Sequence, residues 1–307
     1  MNCVERICED LKLDYTYVMS IVKFSGYYYK DYKIPKNNGG YRIISQPSPE
    51  LKTLQYWVVH NVLSKLPISS YSFAYNKGSS IKKHALIHSK SNYIFHSDIK
   101  DFFPSIKSAM LNDVLIKNEQ LFSELGINVN DSIEQIDKIC FRNNCLSIGA
   151  VSSPMISNVI MYSFDLSFND YCNNKNLIYS RYADDIYVSS KSYIDNEVKV
   201  MLKNTLHEFG FCINNKKTSF YSPKGRKIVT GLIITNEKRI SVGTDRRNGI
   251  KKMVYEKVKH NKGNPNVIIG YLAYLKDIEP ATYDRIVIKY SKYCEGDIID
   301  IIRENTD

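Results

Sequence analysis

The chain has 307 residues, 43% of them apolar and 24% charged, enough to bury a sizeable core in two or three lobes. Its formal net charge of +10 favours a polyanionic partner, nucleic acid or an anionic membrane surface, and 24 tyrosines beside many lysines suit a surface that meets bases and phosphates. No apolar run approaches the ~20 residues that span a bilayer, the first residues carry Glu5, Glu9 and Asp10 in place of a signal-peptide core, and the seven cysteines form no C-x-x-C pair. Membrane-spanning, disulfide-framework and zinc-finger classes are thereby excluded, and free thiols in the cytoplasm are expected.

Taken in order, Val4, Ile7, Cys8 and Leu11 fall on one helical face, and Asp14 caps a second helix running to Phe24 before Gly26. Residues 27–35 read as a strand, Asn38-Gly39-Gly40 as a turn, and Tyr41-Arg42-Ile43-Ile44 as the returning strand. Ser48-Pro49 opens a helix whose apolar positions Leu51, Leu54, Val58, Val62 and Leu66 keep helical spacing until Pro67. A short helix is expected over 80–88, and 93–97 is a strand that delivers Asp98 at its end. The polar stretch 118–144 holds a helix over 131–140, and Ser153-Pro154 opens one long helix to about Asn173. After a hairpin at 178–188, a helix over 195–209 is closed by Gly210. Strands are expected over 218–221 and, unbroken, over 227–234. Beyond Gly243 the pattern is helical throughout. The first of these helices carries Arg246, Arg247, Lys251, Lys252, Lys257, Lys259 and Lys262 against only Asp245 and Glu256. The order describes an α+β protein, an antiparallel sheet backed by helices followed by an all-helical lobe.

The hairpin at 178–188 organises the rest. Strand formers flank a tight turn that carries Asp184 and Asp185 side by side. Adjacent carboxylates repel, and a divalent cation is the strongest local compensation; a solvated turn is the plain alternative. Phosphoryl transfer needs charge neutralisation and in-line positioning more than acid or base groups, and two Mg²⁺ ions ~3.5–4 Å apart can clamp the attacking and leaving oxygens. Asp98, at a strand end, is the candidate third carboxylate.

Five stretches, in order and spacing, then carry a family resemblance. They are Arg42-x-Ile44 followed by Pro47, Leu51-Lys52 and Gln55; Asp98-x-x-Asp101-Phe102-Phe103; Leu146-Ser147-Ile148-Gly149-Ala150-Val151-Ser152-Ser153-Pro154-x-x-Ser157-Asn158; Tyr182-Ala183-Asp184-Asp185; and Asn214-x-x-Lys217-Thr218. Over about residues 30–235 the chain resembles reverse transcriptases. Val229-Thr230-Gly231 and His84-Ala85-Leu86-Ile87-His88 are similar to signatures of the bacterial retron reverse transcriptases, with His84 where that group carries Asn. Ser147-Ile148-Gly149 departs from the family's Pro-Gln-Gly, and Ile148 cannot donate the side-chain hydrogen bond of a Gln.

The resemblance implies a right-hand polymerase: fingers 1–92 and 105–145, palm 93–104 and 146–235, and an all-helical thumb 236–307. It implies that Asp98, Asp184 and Asp185, with the backbone carbonyl of Ile99, bind two Mg²⁺. Phe103 would lie under the sugar of a deoxynucleotide, Arg42 would hold its triphosphate, and Ile148 and Gly149 would line the nucleotide site. Lys217 would protonate the departing pyrophosphate or contact nucleic acid, and Asp101 would cap the following helix. His88, Val229, Thr230 and Gly231, and the basic helix with Arg246, Arg247, Lys251 and Lys252, would bind RNA. The implied activity is RNA-directed DNA synthesis on a structured noncoding RNA, primed by an RNA 2′-hydroxyl. Its product would be RNA-linked single-stranded DNA, made within an anti-phage system that includes a separate effector protein. A scaffold that holds an effector, or a reverse transcriptase of another bacterial lineage such as a diversity-generating element, are the alternatives.

Overall fold

The computed structural model describes residues 1–36, 39–293 and 298–304. Asn38 of the expected turn and Cys294 lie outside the described residues; the other six cysteines are free thiols.

The chain opens with α1 (Cys3–Leu11), where Asn2 and Glu5 form a reciprocal capping box, and α2 (Tyr15–Lys23), capped by Asp14. A single 3₁₀ turn at Ser25–Tyr27 replaces the first residues of the expected strand. A two-stranded antiparallel ribbon follows, β1 (Tyr29–Pro35) and β2 (Tyr41–Pro47). Next come α3 (Pro49–Asn61), with Ser48 as cap and Pro49 in its first turn, α4 (Ile81–His88), and β3 (Tyr93–Asp98). The polar stretch that follows folds as α5 (Phe102–Ser105), α6 (Ser108–Lys117), α7 (Glu119–Glu124) and α8 (Ile133–Cys140). The expected long helix is two, α9 (Ser153–Ile160) and α10 (Tyr162–Asn174), separated at Met161. The hairpin β4 (Ile178–Tyr182) and β5 (Asp185–Ser190) leads into α11 (Glu197–Glu208) and the short β6 (Ser219–Tyr221). Sheet order is β4-β5-β3-β6, so the strand ending in Asp98 is hydrogen-bonded beside the one beginning with Asp185.

The expected strand 227–234 is instead a hairpin, β7 (Lys227–Val229) and β8 (Leu232–Ile234), with Val229 opposite Leu232. Thr230 and Gly231 both have positive φ, 48° and 78°, as a two-residue hairpin turn requires. The β-branched run hid that turn. A third strand, β9 (Ile240–Ser241), joins β8, and α12 (Thr244–His260), α13 (Pro265–Ile278), α14 (Pro280–Ser291) and α15 (Ile298–Glu304) follow.

Two compact units result. The first comprises Met1–Gly78, His96–Val188 and Asp195–Ser219. Its N-terminal part is cored where α1, α2, α3 and α8 meet, with Val4, Ile7, Val18, Leu51, Ile136 and Ile139 sealed from solvent. Each such burial contributes about 1.5–3 kcal/mol. The second comprises Ser79–Phe95, Ser189–Ile194 and Phe220–Asp307. In it α4 packs on the β7-β8-β9 sheet, and α12 to α15 bury Ile250, Val254, Leu272, Leu275 and Ile302 among themselves.

Candidate active site

The turn between β4 and β5 is built from beneath. Ala183 adopts φ 57°, a left-handed conformation that residues with a Cβ rarely take. Arg181, fully buried, donates from Nη1 to the Ala183 carbonyl at 3.0 Å. Its Nε and Nη2 donate to the two carboxylate oxygens of buried Asp165 on α10, at 2.8 and 2.7 Å. Tyr179 donates to the same carboxylate at 2.6 Å. Asn158 of α9 stands 3.4 Å from Arg181 Nη1 and donates to the Ala74 carbonyl at 2.8 Å. The tip carrying Asp184 is thus fixed by a bidentate ion pair inside the core.

The end of β3 meets that tip. The Ile99 amide donates to the Asp184 carbonyl at 2.9 Å, and the Asn214 amide donates to the Asp98 carbonyl at 2.7 Å. Asn214 Nδ2 donates to Asp98 Oδ1 at 3.0 Å, and Lys217 Nζ donates to Asp98 Oδ2 at 2.5 Å. The three acidic residues and Lys217 therefore gather at one end of the sheet. Asp185 pairs with His96 Nε2 at 2.7 Å, the imidazole lying against Tyr187 with ring centroids 4.6 Å apart.

Charge at this point is unbalanced. Burial pushes the Asp184 carboxyl up to about 6, Asp185 and Asp98 push it further, and Lys217 only partly offsets them. Burial pulls the Lys217 ammonium down, but Asp98, Asp184 and Asp185 outweigh it and raise it overall. Among the described residues no three His, Cys, Asp or Glu side chains stand as a ready-made metal cage. Asp98 is engaged by Lys217 and Asp185 by His96. The donors are nevertheless all hard oxygens, and Lys217 only partly offsets the negative charge on the half-buried carboxylate at their centre. Both features fit a hard divalent cation.

A cleft of about 1800 Å³ opens beside Asp98 and Asp184, and Asp185 is not among its lining residues. Asp98, Asp184 and Lys217 line it together with Arg42, Phe103 and Ile148. Tyr75 also lines it; burial raises its hydroxyl, Asp184 adds to the rise, and Arg42 opposes it. Phe103 is half-buried against Phe102, ring centroids 5.4 Å apart. Gly149 has φ 109° and presses on β2: an added Cβ would lie 2.8 Å from Ile44 Cγ2 and 3.0 Å from the Ser45 carbonyl oxygen. The Ser45 amide donates to the Ile148 carbonyl at 2.7 Å, so this loop and the ribbon that carries Arg42 are joined. Fully buried Gln55 accepts from the Val151 amide at 3.1 Å and braces the same loop.

Other expectations are modified. Asp101 occupies the cap position of α5, but its side chain makes no capping bond; its carbonyl accepts from Ser105 instead. His88 and Val229 are fully buried, so neither side chain presents a surface to RNA. His88 Nδ1 lies 2.7 Å from Ser189 Oγ, and burial pushes its imidazole down to about 3. His84 is buried too and hydrogen-bonds Thr230, which ties the 230–231 turn to α4. On α12, Arg246, Lys251 and Lys252 are exposed, whereas Arg247 pairs with Glu279 at 3.2 Å and Lys257 is buried beside Asn261. The basic run is therefore two faces, one outward and one tied down.

Sequence reasoning missed Asp165, His96 and Tyr75. A lone acid between Phe164 and Phe168 on a helix, and an arginine inside a strand pattern, were the available signals for the Asp165–Arg181 pair.

Residues 34–254 match the family model described as reverse transcriptase (RNA-dependent DNA polymerase). The retron Ec73 reverse transcriptase of Escherichia coli is 35% identical over 280 residues, covering 85% of this chain and 86% of the relative. The retron Ec83 reverse transcriptase of Escherichia coli is 32% identical over 296 residues, covering 88% and 91%. The retron Ec86 reverse transcriptase of the same species is 30% identical, covering 95% and 89%. Among solved structures, telomerase from Candida albicans in complex with a fragment of telomeric RNA aligns at TM-score 0.50 and 12% identity, over 91% of this chain and 61% of that one, a likeness of fold alone. The fold is that of a right-hand polymerase. The chain belongs to the reverse transcriptases, RNA-directed DNA polymerases that as a family use divalent metal ions, and among them to those of retrons. No described helix is long and apolar enough to cross a membrane.

Proposed function

We propose that the cleft lined by Asp98 and Asp184 copies a structured noncoding RNA into RNA-linked single-stranded DNA, primed from an RNA 2′-hydroxyl. The observation that carries the placement is the meeting of β3 with the hairpin tip, Ile99 amide to Asp184 carbonyl. Asp98, Asp184 and Asp185, with the Ile99 carbonyl, would hold two Mg²⁺, which when bound neutralise the triphosphate and the leaving group. Arg42 would hold the triphosphate from the ribbon. Phe103 would lie under the sugar and exclude a 2′-hydroxyl, with Ile148 and Gly149 lining the nucleotide through backbone and apolar contact. The hydroxyl oxygen would bond to the α-phosphorus as its proton passes to solvent, the bond from the α-phosphorus to the bridging β-phosphate oxygen would break, and Lys217 would give its proton to the departing pyrophosphate.

The fingers are read as 1–92 and 105–145, the palm as 93–104 and 146–235, and the thumb as 236–307. Exposed Arg246, Lys251 and Lys252 would follow duplex phosphates, and the Thr230-Gly231 turn would meet RNA with backbone groups. The enzyme would act in the cytoplasm, in anti-phage defence, with a separate effector held by its RNA–DNA product. Asp184→Asn tests the reading. The purified wild-type chain should carry a DNA whose size shifts after RNase treatment, and the variant should carry none. A variant that still synthesises DNA would refute the metal assignment; one that loses DNA yet keeps phage resistance would make the protein a scaffold.

A further inference from the structure

The cleft accounts for one end of the β1–β2 ribbon; the other end carries an aromatic and basic strip that the reaction does not use. The Phe24 carbonyl accepts from the Tyr27 amide at 2.9 Å in a single 3₁₀ turn, a geometry that puts residues three apart on the same side. Both rings face solvent, Phe24 at 51% and Tyr27 at 89% exposure, although each could bury its apolar surface in a core. Lys23 Nζ lies over the Phe24 ring at 5.6 Å from its centroid, and Lys30 Nζ over the Tyr32 ring at 5.4 Å. Tyr32 is itself 41% exposed. The sole acid between residues 23 and 33, Asp31, is neutralised by Arg142 at 2.6 Å.

Exposed aromatic rings, two of the three with an ammonium group over them, suit a polyanion with planar bases. A protein partner would want the rings packed against apolar atoms and would gain little from the lysines. The strip is also continuous with the cleft: β1 runs from Tyr29 through Ile34 and Pro35, which line the cleft, a path of about 20 Å at strand rise. A strand entering that cleft to be copied is unpaired until it reaches the carboxylates, so its bases are free to stack, and in a reverse transcriptase that strand is RNA.

We propose that Lys23, Phe24, Tyr27, Lys30 and Tyr32 form a stacking platform for the single-stranded RNA template before it enters the cleft. The inference rests on the cleft being the place of copying.

The test is fluorescence anisotropy with the full-length, nucleic-acid-free chain on two labelled substrates. Both pair a DNA primer with an RNA template; one template ends at the base to be copied, and the other continues as a long unstructured 5′ overhang. Phe24→Ala/Tyr27→Ala should weaken binding of the overhang substrate roughly fivefold or more, the equivalent of about 1 kcal/mol of stacking. Binding and single-nucleotide extension of the short template should stay unchanged. Tyr27→Trp should retain binding and Tyr27→Leu should lose it, which separates stacking from apolar packing. Lys23→Gln/Lys30→Gln should flatten the slope of log affinity against log salt on the overhang substrate by roughly 1.4. Unchanged overhang affinity in the double alanine variant overturns the proposal, and so does an equal loss on both substrates. Absence of extension on either substrate by the wild-type chain would instead indict the reading of the cleft.

Discussion

Arg181 gives Nε and Nη2 to Asp165 and Nη1 to the carbonyl of Ala183, with neither side chain of the pair exposed at all. A buried pair of this kind does two separable things. It neutralises itself, and it holds a strained turn whose next two residues are Asp184 and Asp185. Asp165→Asn leaves an arginine buried without its anion and should cost about 3–5 kcal/mol in urea unfolding. Replacing both partners together, Asp165→Leu with Arg181→Met, should recover most of that stability. DNA synthesis should not recover with it, because the Ala183 carbonyl has lost its donor. Full activity in the restabilised double variant would show that the turn holds its shape unaided.

Half-buried Asp184 and fully buried His88 give the metal-free protein opposing pH dependences. The folded Asp184 carboxyl titrates near 6, above its ordinary value of 3.8. The folded chain therefore keeps an extra proton in that window, and the stability this gives is present at low pH and lost as pH rises through 6. The His88 imidazole titrates near 3, below its ordinary 6.5, so its stability is present above 6.5 and lost as pH falls toward 3. Each dependence has an upper limit of about 1.4 kcal/mol per pH unit, and over the shared window they largely cancel. The comparison with Asp184→Asn removes one of them. In metal-free buffer the variant should match the wild type at the acid end and become progressively more stable than it toward neutral pH. Mg²⁺ should then raise the melting temperature of the wild type and leave the variant's unmoved. A stability gap constant across pH would contradict the electrostatic account of this carboxylate.

Gly149 is where the loop before α9 closes on β2. At φ 109°, with room for no Cβ beside Ile44 and the Ser45 carbonyl, Gly149→Ala must displace the ribbon that carries Arg42. Overpacking of this sort costs about 1–3 kcal/mol. The kinetic signature should be a rise in KM for deoxynucleotide larger than the fall in kcat, since the ribbon moves and the carboxylates do not. An unchanged KM would mean that Arg42 does not contact the nucleotide.

Much of this was legible in the chain. The caps at Asp14 and Ser48, the prolines at 49, 154 and 265, and the Asp-Asp turn are local signals, and the elements begin where those residues place them. The 227–234 run misled because Thr230 stands at a turn position that usually announces itself with Asn or Gly. His88 misled because a histidine's burial is set by neighbours 101 residues away, and no periodicity reveals Ser189 behind it. The support beneath the site was the least legible part. Asp165, Arg181 and Asn158 become one network only after two helices and a strand have packed, and each alone reads as an ordinary polar residue.

Lys217 stands between two roles that one substitution cannot separate. Its ammonium sits on Asp98 and offsets the charge on Asp184, so removing it weakens the site electrostatically whatever its part in proton transfer. Lys217→Met should lower kcat about 100-fold, the smaller end of the range for a lost general acid, with little change in KM. Lys217→Arg keeps a cation beside Asp98 but no proton that can be given up near neutral pH. If Lys217 protonates pyrophosphate, the arginine variant should be nearly as slow as the methionine variant. The fall in rate at high pH, where the wild-type ammonium deprotonates, should vanish in both. Restoration of kcat by arginine, with the wild-type pH profile retained, would reduce Lys217 to a counter-charge and leave the leaving group's proton to solvent.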